Sequence, residues 1–386
     1  MNVDYNDNKL ERFIPITFNE LKENMFSLEI AKDSEIEKFA SLLQSYYHQI
    51  FHSKLISIKD SYYPFNPDRD TITNIEHSSS ELKSIQTKFL DNVSPLLNDA
   101  NYEELSEKDL NEAMSETSPY GVEVSVDFND FEIVKLFFRG SAIKKELVRT
   151  PKSLYLKKVE QSTHIYRRLF ILFKHKHTPE HEEELIYLKL FKDIPRNDLE
   201  MLFPNTKVKI SLIDKVKLIL TGGGGTIGGA VTLFGKLAIT LEPMALLTAI
   251  GAFVGILWRQ IKSIFNHRVK YMAQLAESLY YYNLDNNAGV ISYLIDMAEV
   301  EEGKEAFLAY LFLLKSSKPL DKKELDLQIE AFIKERFSVA TDFEIDDAID
   351  KLVKLNLIVK DGDKFETIDI YNAIKNLEKE KNRELK

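Results

Sequence analysis

Between Leu218 and Trp258 the chain departs from the charged, mixed character it has elsewhere. Leu218 to Gly235 is an uncharged run of about eighteen residues, and after Lys236, Glu242 and the turn-favouring Pro243 a second run of about sixteen continues to Trp258. Such lengths stand at the lower limit for crossing a bilayer, so the pattern predicts a short two-helix hairpin. Lys207, Lys209, Lys215 and Lys217 precede it and Arg259, Lys262, Arg268 and Lys270 follow, while the turn holds only the opposed pair Lys236 and Glu242. That bias places both large polar parts on the cytoplasmic side of a membrane.

Within the hairpin, Gly224 and Gly228, Gly225 and Gly229, and Gly251 and Gly255 repeat the spacing that lets helices approach closely. They are the expected packing positions, either between the two arms or between protomers of a homo-oligomer. Lys215, Lys217, Trp258, Arg259 and Lys262 are the expected interfacial anchors. The competing reading is a glycine-rich helical pair buried in an ordinary core. A phosphate-cradling loop is excluded, because Gly235-Lys236 is followed by Leu237 and has Ala230 where the pattern requires glycine.

At 386 residues with a 44% hydrophobic share, the chain can build two or three cores. Its 61 acidic against 51 basic side chains argue against a surface that coats nucleic acid, and no nucleic-acid partner is expected. The absence of cysteine excludes disulfides, thiolate metal sites and cysteine nucleophiles. MNVDYNDNKLERF has neither signal-peptide nor transit-peptide character, so membrane targeting is assigned to the internal hairpin.

Five regions follow. Residues 1–120 read as helical, with apolar spacing at Phe18–Leu28 and Ile36–Ile50, a helix from Ser80 to Val93 ending before Pro95, and another at Ser106–Ser115. The Tyr62–Asp70 loop holds Asp68 and Asp70, which as acids beside proline read first as helix caps and second as metal ligands. Residues 121–206 change to period two and predict four or five antiparallel strands, the last two joined through His175, His177 and His181, a polar loop with a metal site as its alternative. Residues 207–262 are the hairpin and 263–303 juxtamembrane helices, in which Asp285-Asn286-Asn287 caps a helix from Ala288 to Glu299. Residues 304–386 have the order of a winged helix, and its third helix, Glu344–Leu355, carries Asp346, Asp347 and Asp350 against Lys351 and Lys354 where phosphates would have to be met. Protein binding is therefore the expected role of this end. The fold class expected from these parts is an α+β membrane protein.

Several stretches resemble a family of unestablished activity, the transmembrane protein 143-like proteins of mitochondria and bacteria. They are ERFIPITFNEL at 11–21, YYPFNPDRDT at 62–71, LFFRG at 136–140, IYRRLFILFK at 165–174, YLKLFKDIPRNDLEMLFPNT at 187–206 and YYNLDNNAGVISYLIDMAEVEEGKEAFLAY at 281–310. The resemblance covers most of the chain in order and implies a membrane protein, in a bacterial inner membrane given the lack of a transit peptide, but no reaction. Its polar positions Arg139, Arg167, Arg168, Lys189, Asp193 and Asp198 form a candidate pocket for phosphate or lipid headgroups, with structural ion pairing as the plainer account.

No nucleophile elbow, kinase loop, dinucleotide fingerprint or two-histidine helix occurs, so no catalytic, cofactor or metal residue is assigned. The expected function is a membrane-anchored scaffold for an unidentified protein partner, associating with itself through the hairpin. A membrane-perturbing effector is the alternative, and a lipid- or phosphate-directed enzyme the third reading.

Overall fold

A computed structural model describes residues 3–4, 10–27, 34–71, 75, 77–106, 108–110, 122–149, 158–179, 184–205, 207–210, 255 and 280–384. The period-two region forms the expected antiparallel strands. Strand β4 (Phe131–Arg149) pairs along its length with β5 (Lys158–His175), and β5 pairs with β6 (Ile186–Pro195). Shorter strands complete this sheet: β1 (Val3–Asp4) and β2 (Glu103–Glu104) lie along β4, and β8 (Asn283–Asn286) lies along β6.

Alternation along the strands gives the sheet two apolar faces. Phe137, Phe170, Leu172, Leu188 and Leu190 join the large core beneath the helices. Leu136, Leu169, Ile171, Phe173 and Phe191 join a smaller core closed by Leu199, Leu202 and Phe203 of the 3-10 turn after β6.

The helical layer comprises α1 (Phe18–Ser27), α2 (Ser34–Tyr62), α3 (Ser79–Asp99) and α4 (Ala288–Lys315). Helix α3 opens on a capping box between Ser78 and Glu81 and runs past Pro95 rather than ending before it. It closes at Asn101 (φ +58°), where the Tyr102 amide donates to the Leu97 carbonyl at 2.8 Å. Helix α4 is continuous where two helices, 288–299 and 304–315, are expected, so the 303/304 boundary falls inside it. Gly303 lies at that point, and a Cβ there would meet the Phe18 ring at 3.9 Å.

After α4 come β9 (Leu320–Asp321), α5 (Lys322–Phe337), α6 (Ile345–Lys354), β10 (Ile358–Asp361) and β11 (Lys364–Thr367), with sheet order β10-β11-β9. Helix, strand, two helices and a hairpin turning at Gly362 (φ +60°) make the order of a winged helix. A last helix, α7 (Ile370–Glu384), lies against α2, where Lys381 Nζ reaches Ser45 Oγ at 2.6 Å.

The expected membrane protein is corrected. Among the described residues no helix is long and apolar enough to cross a bilayer, so the transmembrane hairpin and the inner-membrane location are not supported. The predicted hairpin, 218–258, lies outside the described residues apart from Gly255, and α4, a long apolar helix that is described, carries buried Glu301, Glu302, Lys304 and Glu305 in its middle, charges that protein groups satisfy and hydrocarbon would not. The basic flank also differs: Lys207 and Lys209 belong to β7 (Lys207–Ile210), hydrogen-bonded to β3 (Val122–Ser125). Gly224, Gly225, Gly228, Gly229, Gly251, Lys215, Lys217, Trp258, Arg259 and Lys262 lie outside the described residues, and Gly255 is helical and exposed. The scaffold and effector readings that need a bilayer are not carried further in that form.

Candidate functional site at the waist of the central helix

Helix α4 is apolar on nearly all sides, the pattern of a helix inside a core. The run Glu301-Glu302-Gly303-Lys304-Glu305 at its middle is therefore buried rather than solvated, and each charge must find a partner from elsewhere in the chain.

Glu301 is 2% exposed and fully engaged. Its Oε2 accepts from the Ile14 amide at 2.9 Å, and its Oε1 accepts from Arg139 Nη2 at 3.2 Å and from Lys304 Nζ at 2.8 Å. Lys304 Nζ also donates to the Ile14 carbonyl at 2.8 Å, so the backbone of Ile14 is held through both its amide and its carbonyl. Burial pulls both Arg139 and Lys304 below their usual values, against the opposing pull of Glu301.

Glu11 to Ile14 form a strap across this side. The guanidinium groups of Arg139 and Arg167 lie 4.2 and 5.1 Å from the Phe13 ring centroid. Glu11 Oε1 accepts from the Ser141 amide at 3.1 Å, and the Glu11 carbonyl accepts from the Asp342 amide at 3.0 Å. Arg12 pairs with Glu344. Gly140 (φ +75°) makes the approach possible, since a Cβ there would lie 2.9 Å from the Glu11 carboxylate.

The other side is organised by Lys351 of α6. Its Nζ bonds Glu302, Glu305 at 3.1 Å and Asp347 at 2.6 Å, while Asn101 Nδ2 donates to Glu305 Oε1 at 3.1 Å. Three carboxylates thus share one ammonium. Burial raises Glu302 to about 8, with Lys351 opposing and Glu305 adding to the rise. Burial likewise raises Glu305 to about 7, with Lys351 again opposing. Burial works against the charged Lys351, but Glu305 and Glu302 outweigh it and hold the amine well above its ordinary value. The Tyr47 hydroxyl is buried within electrostatic reach of Lys351, Glu302 and Glu305 and has no hydrogen-bond partner.

A second polar junction joins three of the resembling stretches at Asn287 (φ +50°). Its Oδ1 accepts from the Leu188 amide at 3.1 Å and the Tyr62 hydroxyl at 3.2 Å, and its Nδ2 donates to Asp68 Oδ2 at 2.5 Å. Asp68 therefore braces this junction rather than capping a helix. Asp285 packs on the first turn of α4, its carboxylate occupying the space a Cβ on Gly289 would need.

The six residues of the candidate pocket do not form one site. Arg139 and Arg168 face each other across β4 and β5, with Arg167 beside them at Phe13. Lys189 instead bonds Asn286 Oδ1 at 3.0 Å, Asp193 takes a positive φ of 52° in β6, and Asp198 lies in the following 3-10 turn. His175 stacks on Phe131 at 4.8 Å and His177 lies 4.0 Å from Glu184, while His181 lies outside the described residues. Among the described residues the acidic or histidine group close enough to hold a metal is Glu302, Glu305 and Asp347; the sequence marks Asp347 only as part of an acidic helix and does not mark Glu302 or Glu305. The signal that could have found them was the charged run inside an otherwise apolar helix.

Fold and site together define a mixed helix and antiparallel-sheet protein built round a buried charge network. Residues 166–289 match the family model described as a protein of unknown function (DUF3754), so the chain carries that domain, from Tyr166 in β5 to Gly289 in the first turn of α4. The match does not single out the transmembrane protein 143-like proteins, and no solved structure matches the chain.

Proposed function

We propose that the chain is an interaction scaffold whose winged-helix-like end docks a basic segment of a partner protein, and that it is kin to the transmembrane protein 143-like proteins through its shared motif core. The kinship is read from those motifs alone, and in this chain they pack together: ERFI, LFFRG and EEGKE meet at Glu301, and YYPFNPDRD, YLKLF and DNNAG meet at Asn287.

The observation that carries the docking reading is the acidic outer face of α5 and α6. Asp326 sits among Glu330, Asp342, Asp346 and Glu344, of which Asp346 pairs with Lys322 and Glu344 with Arg12, and its own Oδ1 is buried with no hydrogen-bond partner. Lys351, the basic residue at the middle of α6, is turned inward, so the helix that would enter a DNA groove offers phosphates an acidic surface. A lysine- or arginine-rich segment would complement it.

Fluorescence anisotropy with a labelled basic peptide, in competition with duplex DNA, tests this. Expected are salt-sensitive peptide binding, at least tenfold weakening by Asp326→Asn with Asp346→Asn, and no displacement by the duplex. Tight duplex binding, or peptide binding untouched by the two substitutions, overturns it.

A second reading, a phosphate-directed site, has one observation behind it: Arg139 Nη1 and Arg168 Nε are buried donors without partners. Saturable binding of inorganic phosphate lost in Arg168→Ala would favour it, and its absence would remove it.

A further inference from the structure

We propose that Glu302, Glu305 and Asp347 form a binding site for a hard divalent cation, for which the Lys351 ammonium is the exchangeable stand-in. Their carboxylate oxygens lie within 4.8 Å of one another, so an ion midway between any two is at most about 2.4 Å from each, a reach that suits oxygen ligands to a hard divalent cation. Helical spacing builds the site: Glu302 and Glu305 are one turn apart on α4, and Asp347 and Lys351 one turn apart on α6.

One ammonium does not balance three carboxylates. Three carboxylates against one ammonium leave an acidic excess in a place where unpaired charge is costly. A divalent ion in the place of the ammonium carries one charge more and so offsets more of that excess.

The independent sign of a ligand is Tyr47. Tyr47 is 5% exposed, its hydroxyl is buried with no hydrogen-bond partner, and it lies within electrostatic reach of Lys351, Glu302 and Glu305. A phenol so placed can complete an oxygen shell directly or by donating to a metal-bound water. The site also has an entrance, because the Asp347 side chain is 45% exposed and that of Lys351 17%. A lysine tail of that exposure can swing its ammonium outward while its methylene stem stays packed.

Manganese(II) titrated into the intact chain, followed by electron paramagnetic resonance of the free ion, tests the proposal. Expected are one saturable site per chain in the wild type, at least tenfold weaker binding in Glu305→Gln, at least tenfold tighter binding in Lys351→Ala, and no change in Asp361→Asn, an exposed acid at the β10-β11 hairpin. If Lys351→Ala does not fold, the wild type and Glu305→Gln decide between them. A wild type without a saturable site, or one whose binding survives Glu305→Gln, overturns the assignment and leaves Lys351 as a permanent structural counterion.

Discussion

Glu301 and Glu302 are neighbours in sequence and both are buried, yet they stand in opposite electrostatic surroundings. Glu301 is one carboxylate between two cations, with its remaining capacity taken by a peptide amide. Glu302 is one of three carboxylates round a single cation. The difference separates two uses of buried charge. A balanced cluster fixes geometry, here the strap 11–14 between sheet and helix, whereas an acid-rich cluster stays responsive to protons and cations.

The largest effect expected from this contrast is on the balanced side. Glu301→Gln strands Arg139 and Lys304 as buried cations and should cost about 3–5 kcal/mol in urea unfolding at pH 7. On the acid-rich side, Lys351→Ala removes the shared cation and should cost about 3 kcal/mol at pH 8, and clearly less at pH 5, where protons replace it. Equal losses at the two pH values would break the contrast. Gly140→Ala tests the strap itself: the positive φ and the contact with Glu11 should make it cost about 1–3 kcal/mol by thermal unfolding. Smallest is Glu302→Gln, expected within about 1 kcal/mol of wild type and stabilising at pH 8, because it relieves like-charge crowding.

Much of the fold was legible in the residues. The period-two runs locate β4, β5 and β6, and the turn at Asp361-Gly362-Asp363 locates the β10-β11 hairpin. Helix α3 was found to within a turn at its start, but Pro95 was read as a stop although proline is accommodated in its last turns. The site was far less visible. Glu301 meets Arg139 across 162 residues and Ile14 across 287, and nothing in the sequence next to the α4 charges announces those partners. Uncharged composition at 218–258 points toward a bilayer, whereas α4, an apolar helix inside the core, holds its buried charges by pairing them with protein groups.

The sign of the pH dependence is fixed by the raised Glu302 and Glu305. An acid whose folded value lies above its unfolded value binds more protons in the native state between the two. Its contribution to stability is therefore greatest below the unfolded value and is lost as pH rises through the folded one. With unfolded values near 4.5 and folded values of about 8 and 7, the window runs from about pH 5 to pH 8. Asp326, raised to about 6, adds a slope of the same sign, so the difference from a variant isolates the pair.

The most direct measurement is unfolding free energy at intervals from pH 5 to 8 for the wild type, Glu301→Gln and the double variant Glu302→Gln with Glu305→Gln. Stability should fall with pH in the wild type, fall in parallel but from a lower level in Glu301→Gln, and fall much less in the double variant. A double variant that follows the wild-type slope, or a Glu301→Gln that abolishes it, would contradict the division of α4 into a balanced and an acid-rich side.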